Sequence, residues 1–389
     1  MTMNEACTPR TSRWATVATL ALLAPLALAA CNASNNSAGP AGSGPAGSGP
    51  ASSGPASAVT CPGGSLSAEG STAQKNAFEQ VMADYGSACS NKATINYNAT
   101  GSGAGIKSFY NGQVDFAGSD SALKSVAVDG VVETEKAKAR CGGNDAWNIP
   151  MAVGPVAFSY NIDGVDKLVL TAEVLSQIFT GSITTWNDPA IAKINSGATL
   201  PSAKITVFFR SDESGTTENV TKFLKAAGKG KWTKDPGKAW TGIGEGKNKT
   251  AGVADAIKAT KNSISYVEWS YAQDNHLSMA QLDNGAGPVE LTATSVGKAV
   301  SAAKVVGTSK DLKLTLDYAT KTAGAYPAML VTYEVVCSKG LAADKTALAK
   351  DFLKFFASDD EQKSLQDIGY APLPTDLSAK VKATIDAIT

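Results

Sequence analysis

The segment from Phe209 to Val220 holds the residues of this chain that are best suited to chemistry. A predicted strand, Ile205–Phe209, leads into Arg210, and the small residues Ser214–Thr216 follow closely. A helix that begins at such residues leaves backbone N–H groups unpaired, and an arginine beside them supplies a fixed positive charge. The segment therefore predicts an anion-binding site. The alternative is a capped helix at the protein surface, whose arginine simply pairs with Asp212.

Three other loops share this composition of glycine and hydroxyl residues. They are Gly70–Thr72, Thr100–Gly103 and Gly118–Ser121, and each follows a predicted strand. The last of them also contains a carboxylate, Asp120, for which a plain helix-capping role is the alternative. In open α/β sheets, ligands bind beyond the carboxyl ends of the strands. We therefore expect all four loops to converge on one cleft.

Strands and helices alternate along the chain, which positions these loops. The first series contains the predicted strands Ser65–Glu69, Ala93–Tyr97 and Gln113–Ala117, with helical apolar spacing between them. Such alternation is typical of a parallel sheet covered on both faces. Two long extended runs, Trp147–Asn161 and Tyr326–Val336, flank a second series of the same kind, which includes a predicted helix, Ala172–Thr180, and a predicted strand, Ser263–Glu268. If both runs cross between two lobes, the first lobe is built from both ends of the chain and the second from its middle.

The amino-terminal residues indicate export. Residues 1–30 contain Arg10 and Arg13, then an apolar run and small residues, which is the form of a signal peptide. Leu28–Cys31 resembles the lipobox of bacterial lipoproteins and predicts a lipid on Cys31; an ordinary signal peptide or an uncleaved anchor is the alternative. Residues 31–60 are mostly Asn, Ser, Gly, Ala and Pro. Because they bury little apolar surface, they predict a flexible tether that holds a soluble domain near a membrane.

The cysteine count suggests two disulfides. Cys7 lies in the predicted signal, and four cysteines remain after Cys31: Cys61, Cys89, Cys141 and Cys337. An even number in an exported domain favours disulfides, and four cysteines allow three pairings. We favour Cys61 with Cys89, because one strand and one returning helix would bring them together, which leaves Cys141 with Cys337. A four-cysteine zinc site is a weaker alternative, since no Cys-x-x-Cys pair is present.

Composition narrows the function classes. The chain has 35 basic and 35 acidic residues, whereas nucleic-acid-binding proteins usually carry a basic excess. Ser102 or Ser214 could act as the nucleophile of a secreted phosphatase or other hydrolase. However, the single histidine, His276, lies outside these motifs, so an activating base and a set of metal ligands are both lacking. We therefore expect a binding protein without cofactor or metal rather than an enzyme.

Five ordered motifs resemble the phosphate-binding proteins of high-affinity phosphate ABC importers, a family of PstS-type substrate-binding proteins. The similarity covers the chain from about Ser65 onward and implies a type II periplasmic-binding-protein fold, an α/β fold with two lobes joined by two crossing strands. It implies one lobe of residues 61–153 plus 325–389 and a second lobe of residues 154–324. The motifs that carry the similarity are Thr100–Ile106, Val114–Asp120, Ile183–Asn195, Arg210–Thr216 and Ile264–Glu268.

The resemblance also implies a set of phosphate contacts. In this family's pattern Asp212 braces the arginine. Many members carry phenylalanine where this chain has Ala73; a backbone amide contact survives that change, although the packing above the site differs. The implied contacts are Thr72, the Ala73 amide, Ser102, Asp120, Arg210, Ser214, and the amides of Gly215 and Thr216.

The chemistry of Asp120 is consistent with this ligand. A carboxylate in an anion pocket repels the ligand unless the ligand carries a proton that the carboxylate can accept. Phosphate carries such a proton at neutral pH, whereas sulfate does not, so Asp120 predicts selectivity for phosphate. Another oxyanion as ligand, or an adhesin or sensor with this fold, is the alternative.

The family likeness also implies the partners and the location of the protein. We expect a monomer that docks on the permease subunits of an ABC importer and binds no nucleic acid. The lipid on Cys31 would anchor it to the outer face of a bacterial cytoplasmic membrane, in the periplasm or its equivalent.

Overall fold

The computed structural model describes residues 59–389. The predicted signal peptide, the lipid on Cys31 and the tether up to residue 58 lie outside the described residues. The last two residues assigned to the tether are described, and Thr60 donates from both its backbone nitrogen and its hydroxyl to Asp351 Oδ1, each over 2.8 Å. Within residues 59–389, none of the helices has both the length and the apolar character needed to cross a membrane.

Fourteen strands are present in this part of the chain. Their bounds are β1 Gly64–Gly70, β2 Ala93–Ala99, β3 Phe116–Ser119, β4 Ala146–Asn161, β5 Val169–Leu170, β6 Thr206–Arg210, β7 Glu245–Lys247, β8 Ser263–Glu268, β9 Ser278–Met279, β10 Gln281–Asp283, β11 Pro288–Val289, β12 Lys304–Val305, β13 Leu314–Thr315 and β14 Met329–Cys337.

Twelve helices accompany them in the same residues. Their bounds are α1 Lys75–Ala88, α2 Ser102–Tyr110, α3 Glu133–Arg140, α4 Ala172–Thr180, α5 Pro189–Ile194, α6 Gly215–Ala227, α7 Lys249–Ala259, α8 Trp269–Asp274, α9 Ala293–Val300, α10 Ala343–Phe356, α11 Asp359–Asp367 and α12 Thr375–Asp386.

The main sheet runs in the order β2-β1-β3-β14-β4-β8-β6-β7, with β9 added beside β4. The first lobe is the part around the parallel strands β1, β2 and β3, and the second lobe is the part around the parallel strands β6, β7 and β8. The long antiparallel pair β4 and β14 joins them. Both strands are buried over most of their length, which explains their largely apolar sequences.

The register of this pair sets the carboxyl ends of the strands of the two lobes against each other. Ser119, at the end of β3, pairs with Tyr333, and Glu268, at the end of β8, pairs with Val156. Since Tyr333 itself pairs with Pro150, only a few residues of β4 separate the two positions. The residues that follow β3 and β8 therefore face each other across the middle of the β4–β14 pair.

Aromatic clusters form the core of each lobe. In the first lobe, Phe78 of α1 stacks on Tyr97 with ring centroids 4.1 Å apart and meets Phe356 of α10 edge to face. In the second lobe, Phe158 packs against Phe179 and Phe223, the latter at 5.7 Å. Such aromatic pairs bury large apolar areas, and they fix helices from distant parts of the sequence onto the sheet.

Both favoured disulfides are present. Cys61 is bonded to Cys89, with Cα atoms 5.2 Å apart, and Cys141 is bonded to Cys337, with Cα atoms 5.5 Å apart. The first bond closes β1 and α1 onto each other, which is the local geometry expected from the sequence. The second joins the end of α3 to the end of β14 across 196 residues.

The strand predicted at Gln113–Ala117 is displaced towards the carboxyl terminus. It spans Phe116–Ser119, because the Gln113 amide instead donates to Ser108 O over 2.9 Å and closes the end of α2. The side chain of Asp115 binds the neighbouring strand β1, where its Oδ2 accepts from the Ser67 amide at 2.8 Å. The shift brings Ser119 into the sheet and leaves Asp120 as the first residue beyond it.

Candidate anion-binding site

Asp120 lies buried immediately after β3 and is held by two hydroxyl groups. The Ser102 hydroxyl donates to Asp120 Oδ2 over 3.2 Å, and the same hydroxyl accepts from the Asp120 amide at 3.1 Å. The Ser71 hydroxyl donates to Oδ1. Burial raises the pKa of Asp120 to about 7, and the charge of Glu268 contributes, although both hydroxyls and Arg210 act in the opposite direction. Asp120 can therefore hold or release a proton near neutral pH.

Arg210 ends β6 and is buried, with its guanidinium fixed in two directions. Asp212 accepts from Nε at 2.7 Å and from Nη2, in a bidentate pair. Nη1 donates to the Thr250 hydroxyl over 3.1 Å. Burial alone would lower the pKa of Arg210, but the bonds and charge of Asp212 outweigh it, so its pKa lies above its usual range. The pairing with Asp212 is thus present, but inside the protein and not on a surface helix.

The amino terminus of α6 lies against Asp120. Ser214 caps the helix by accepting from the Thr217 amide at 3.1 Å. Gly215 begins the helix, and a Cβ atom built on it would lie 2.6 Å from Ser102 Oγ and 2.7 Å from Asp120 Cβ. The partial positive charge of this helix end therefore lies in van der Waals range of the carboxylate that follows β3.

The other predicted contacts already have protein partners. The Thr72 hydroxyl is 2.8 Å from the Thr250 hydroxyl, which also accepts from Arg210, so Thr250 connects the two lobes. The Ala73 amide donates to Ser71 Oγ over 3.0 Å. The Thr216 hydroxyl donates to Glu268. All eight predicted residues thus lie around one buried region, linked through Ser71, Thr250 and Glu268.

The sequence analysis assigned no contact in the site to these three linking residues or to Asn219. Ser71 lies within the flagged loop Gly70–Thr72, but only Thr72 of that loop was given a contact. Glu268 ends a motif that was recognised without a role. Thr250 follows a lysine-rich stretch, and Asn219 donates both to Asp120 O at 2.7 Å and to Gly215 O at 2.8 Å. Neither residue carries a local pattern that predicts such bridging.

The fold and this site define a member of the PBP superfamily. The family model described as a PBP superfamily domain matches residues 52–360. The chain is 43% identical over 336 residues to the phosphate-binding protein PstS 3 of Mycobacterium tuberculosis (strain ATCC 25618 / H37Rv), covering 85% of this chain and 88% of that protein. It is 35% identical over 313 residues to the phosphate-binding protein PstS of Xylella fastidiosa, covering 79% and 80%. The chain belongs to the PstS family of phosphate-binding proteins.

Solved structures agree on the fold. A putative phosphate ABC transporter substrate-binding protein from Clostridium perfringens, with bound phosphate, has a TM-score of 0.56 at 18% identity, covering 80% of this chain and 100% of that one. The phosphate-bound periplasmic protein PfluDING has a TM-score of 0.65 at 22% identity, covering 82% and 93%. The expected fold class and family are confirmed, and the comparisons favour a binding protein over a secreted hydrolase.

Proposed function

We propose that this protein captures inorganic phosphate outside the cytoplasm, between its two lobes, and delivers it to an ATP-driven membrane importer. The observation that carries the proposal is the position of Asp120, a buried carboxylate that faces Arg210 and the amino terminus of α6. A site built only to attract anions would not contain that carboxylate, because it costs binding energy. An anion that carries a proton can donate a hydrogen bond to the Asp120 carboxylate, which then contributes to binding instead of opposing it.

The proposed contacts come from both lobes. Residues 61–153 and 325–389 form one lobe in this proposal, and residues 154–324 form the other. Closure of the lobes around the ion removes water and strengthens every contact. Asp212 keeps the guanidinium of Arg210 aimed at the ion. The ligand set is Thr72, the Ala73 amide, Ser102, Asp120, Arg210, Ser214, and the amides of Gly215 and Thr216.

The setting of the protein is part of the same proposal. A lipid on Cys31 and the tether of residues 31–60 hold the domain at the outer face of the membrane. The domain acts as a monomer and hands phosphate to the permease subunits of an ABC importer. Mass spectrometry of the protein purified from membranes tests the anchor, with an acylated peptide that begins at Cys31 as the expected result and an unmodified cysteine as the contrary one.

The binding test is calorimetric titration of the purified protein with phosphate, sulfate and arsenate. We expect phosphate to bind much more tightly than sulfate at pH 8. Because the pKa of Asp120 is about 7, a protonated Asp120 at pH 6 can donate to sulfate, so the preference should narrow as the pH falls. Tight sulfate binding at pH 8, or no phosphate binding, would contradict the proposal.

A substitution assigns the selectivity to one residue. In Asp120→Asn the side chain keeps its shape but gains a donor, so sulfate binding should strengthen relative to phosphate by roughly tenfold or more at pH 8. The part of the pH dependence that comes from Asp120 should also disappear, which leaves only the part that comes from the titration of phosphate itself. The matched control is Asp188→Asn, which changes the cap of α5 and lies outside the proposed ligand set. If Asp120→Asn leaves the ratio unchanged, Asp120 does not determine selectivity.

A further inference from the structure

A buried polar cluster lies beneath the Asp120 site, in the layer between α1 and the sheet. It contains Gln74 at the start of α1, Tyr97 on β2 and Glu334 on β14. Gln74 and Glu334 are fully buried. Neither of them contacts the anion in the proposed function. Polar groups at such depth are normally paired, so their arrangement needs a physical reason.

Part of the cluster forms a directed chain of hydrogen bonds towards Asp120. Gln74 Nε2 donates to the Tyr97 hydroxyl over 3.1 Å. The Tyr97 hydroxyl in turn donates to Ser71 O over 2.7 Å. Ser71 then donates from its side chain to Asp120 and accepts from the Ala73 amide. The chain therefore fixes the backbone of the residue that orients the carboxylate.

The other end of this chain is incomplete. Among the described residues, neither carboxyl oxygen of Glu334 has a hydrogen-bond partner, and Gln74 Oε1 has none either. Gln74 Nε2 lies over Gly118, the residue that pairs with Glu334 in the sheet, so the two side chains are neighbours. Both unpaired groups are acceptors when Glu334 is ionised, which leaves an uncompensated buried charge and is costly. A proton on Glu334 removes that charge and makes one of its carboxyl oxygens a donor, for which the unpaired Gln74 Oε1 is an available acceptor.

The backbone leaves room for this cluster through one glycine. Gly118 pairs with Gly70 on β1 and with Glu334 on β14. A methyl group on Gly118 would collide with the side chains of Gln74 and Tyr97. The side chains of Gln74 and Tyr97 thus fill the space over Gly118, so the cluster packs directly against the backbone of β3.

We propose that Glu334 is held as a neutral carboxylic acid and acts, through Gln74 and Tyr97, as a positioning residue for Ser71 and Asp120. Its effect on phosphate selectivity rests on the proposed function, whereas its protonation does not. Burial raises the pKa of Glu334 well above its ordinary value, the charge of Asp120 acts in the same direction, and Gln74 opposes it. The titratable groups around it are Asp120 and Tyr97. Its neighbours in register, Gly118 and Ile149, do not titrate.

The protonation is tested by stability against pH, without any ligand. Folded Glu334 retains a proton that the unfolded chain loses above about pH 4.5, so stability falls as the pH rises through this window. Glu334→Gln removes the effect while keeping a donor for Gln74. The ratio of the unfolding constants of wild type and variant should therefore rise about tenfold per pH unit between pH 5 and 7. A constant ratio over this range would overturn the proposal.

The positioning role is tested by titration with phosphate and sulfate. Glu334→Leu leaves Gln74 Oε1 without a donor, and Tyr97→Phe breaks the chain. Both should lower phosphate affinity and the phosphate-over-sulfate ratio by about tenfold, whereas Glu334→Gln should retain both. Thr332→Val, at a buried position of the same strand, is the control for general damage to β14.

The outcomes of these measurements distinguish the role of Glu334 from the proposed phosphate-binding function. If Glu334→Leu and Tyr97→Phe keep the wild-type affinity and ratio, Glu334 has no positioning role. If Glu334→Leu does not fold, Gln74→Met, which removes the link between Glu334 and Tyr97, takes its place, and wild-type affinity and ratio in that variant overturn the positioning role. If the wild-type protein binds no phosphate, the proposed function fails, while the stability measurement still decides whether Glu334 is neutral.

Discussion

Replacement of Gly215 by alanine tests how closely the two lobes approach at the site. Gly215 begins α6, and its φ angle is not in the left-handed region, so the backbone itself accepts alanine. The added Cβ would lie 2.6 Å from Ser102 Oγ, 2.7 Å from Asp120 Cβ and 2.9 Å from Asp120 Oδ2. Ser102 and Asp120 belong to the first lobe, whereas Gly215 belongs to the second. The strain therefore falls on the closed arrangement and not on either lobe alone.

The size of the effect follows from these distances. Non-bonded carbon atoms prefer a separation of about 3.5–4.0 Å, so the lobes must part by roughly 1 Å at this point. Overpacking of this kind typically costs about 1–3 kcal/mol. If the cost appears only on closure, phosphate affinity should fall by about 5- to 150-fold. The thermal stability of the protein without phosphate should change much less.

Two measurements check this expectation. Calorimetric titration gives the phosphate affinity, and small-angle X-ray scattering gives the compaction on adding phosphate, which should be smaller in Gly215→Ala. Gly297→Ala in α9 is the matched control, because within residues 59–389 no atom lies within 4 Å of the added Cβ apart from the helix backbone and chain neighbours. If Gly215→Ala binds phosphate within twofold of the wild type, the lobes do not close onto Gly215 as described.

Three further predictions concern other parts of the structure. Replacing Cys141 and Cys337 by serine should lower the free energy of unfolding by about 2–5 kcal/mol, measured by denaturant titration, because the bond closes a long loop; an unchanged midpoint would contradict this. Burial raises the pKa of Glu218, but the charges of two lysines bring it down to about 2. Glu218→Gln should therefore cost about 3 kcal/mol at pH 7. That difference should shrink as the pH falls from 4.5 towards 2, and a pH-independent difference would refute the assignment. Thr250→Val removes an acceptor of Arg210 and should weaken phosphate binding about fivefold by calorimetry, with unaltered affinity as the opposing result.

The elements of the fold were predictable where the signals are local. The helix Ala172–Thr180 was predicted with its observed bounds, because Thr171 caps its start and Gly181 adopts the left-handed conformation at its end. The strand Ser263–Glu268 was equally predictable, because it is a short uninterrupted run of residues that suit a buried strand. The strand after α2 was misplaced, because the Gln113 amide closes the helix instead of joining the sheet.

The site was predictable only in its loops. Motif composition located Asp120 and Arg210, but it gave no indication of Thr250, which lies 40 residues from Arg210 and 178 from Thr72. Glu334 could not be related to Asp120, because their proximity depends on the register between β3 and β14. Contacts of this kind follow from tertiary packing, and no periodicity in a single sequence encodes them.

The position of β14 bears on how the protein acquires its fold. β14 is the last strand of the sheet in chain order, yet it lies at the centre, between β3 and β4. A chain that emerges from its amino terminus therefore presents β1–β3 and the whole second lobe before the strand that completes the sheet. Such long-range closure is slow, and the unpaired edges of β3 and β4 remain exposed to proteases and to other chains in the meantime. Folding of this binding protein should consequently be limited by the insertion of β14 from the carboxyl-terminal segment. A chaperone would protect the chain most in the period before β14 has joined β3 and β4.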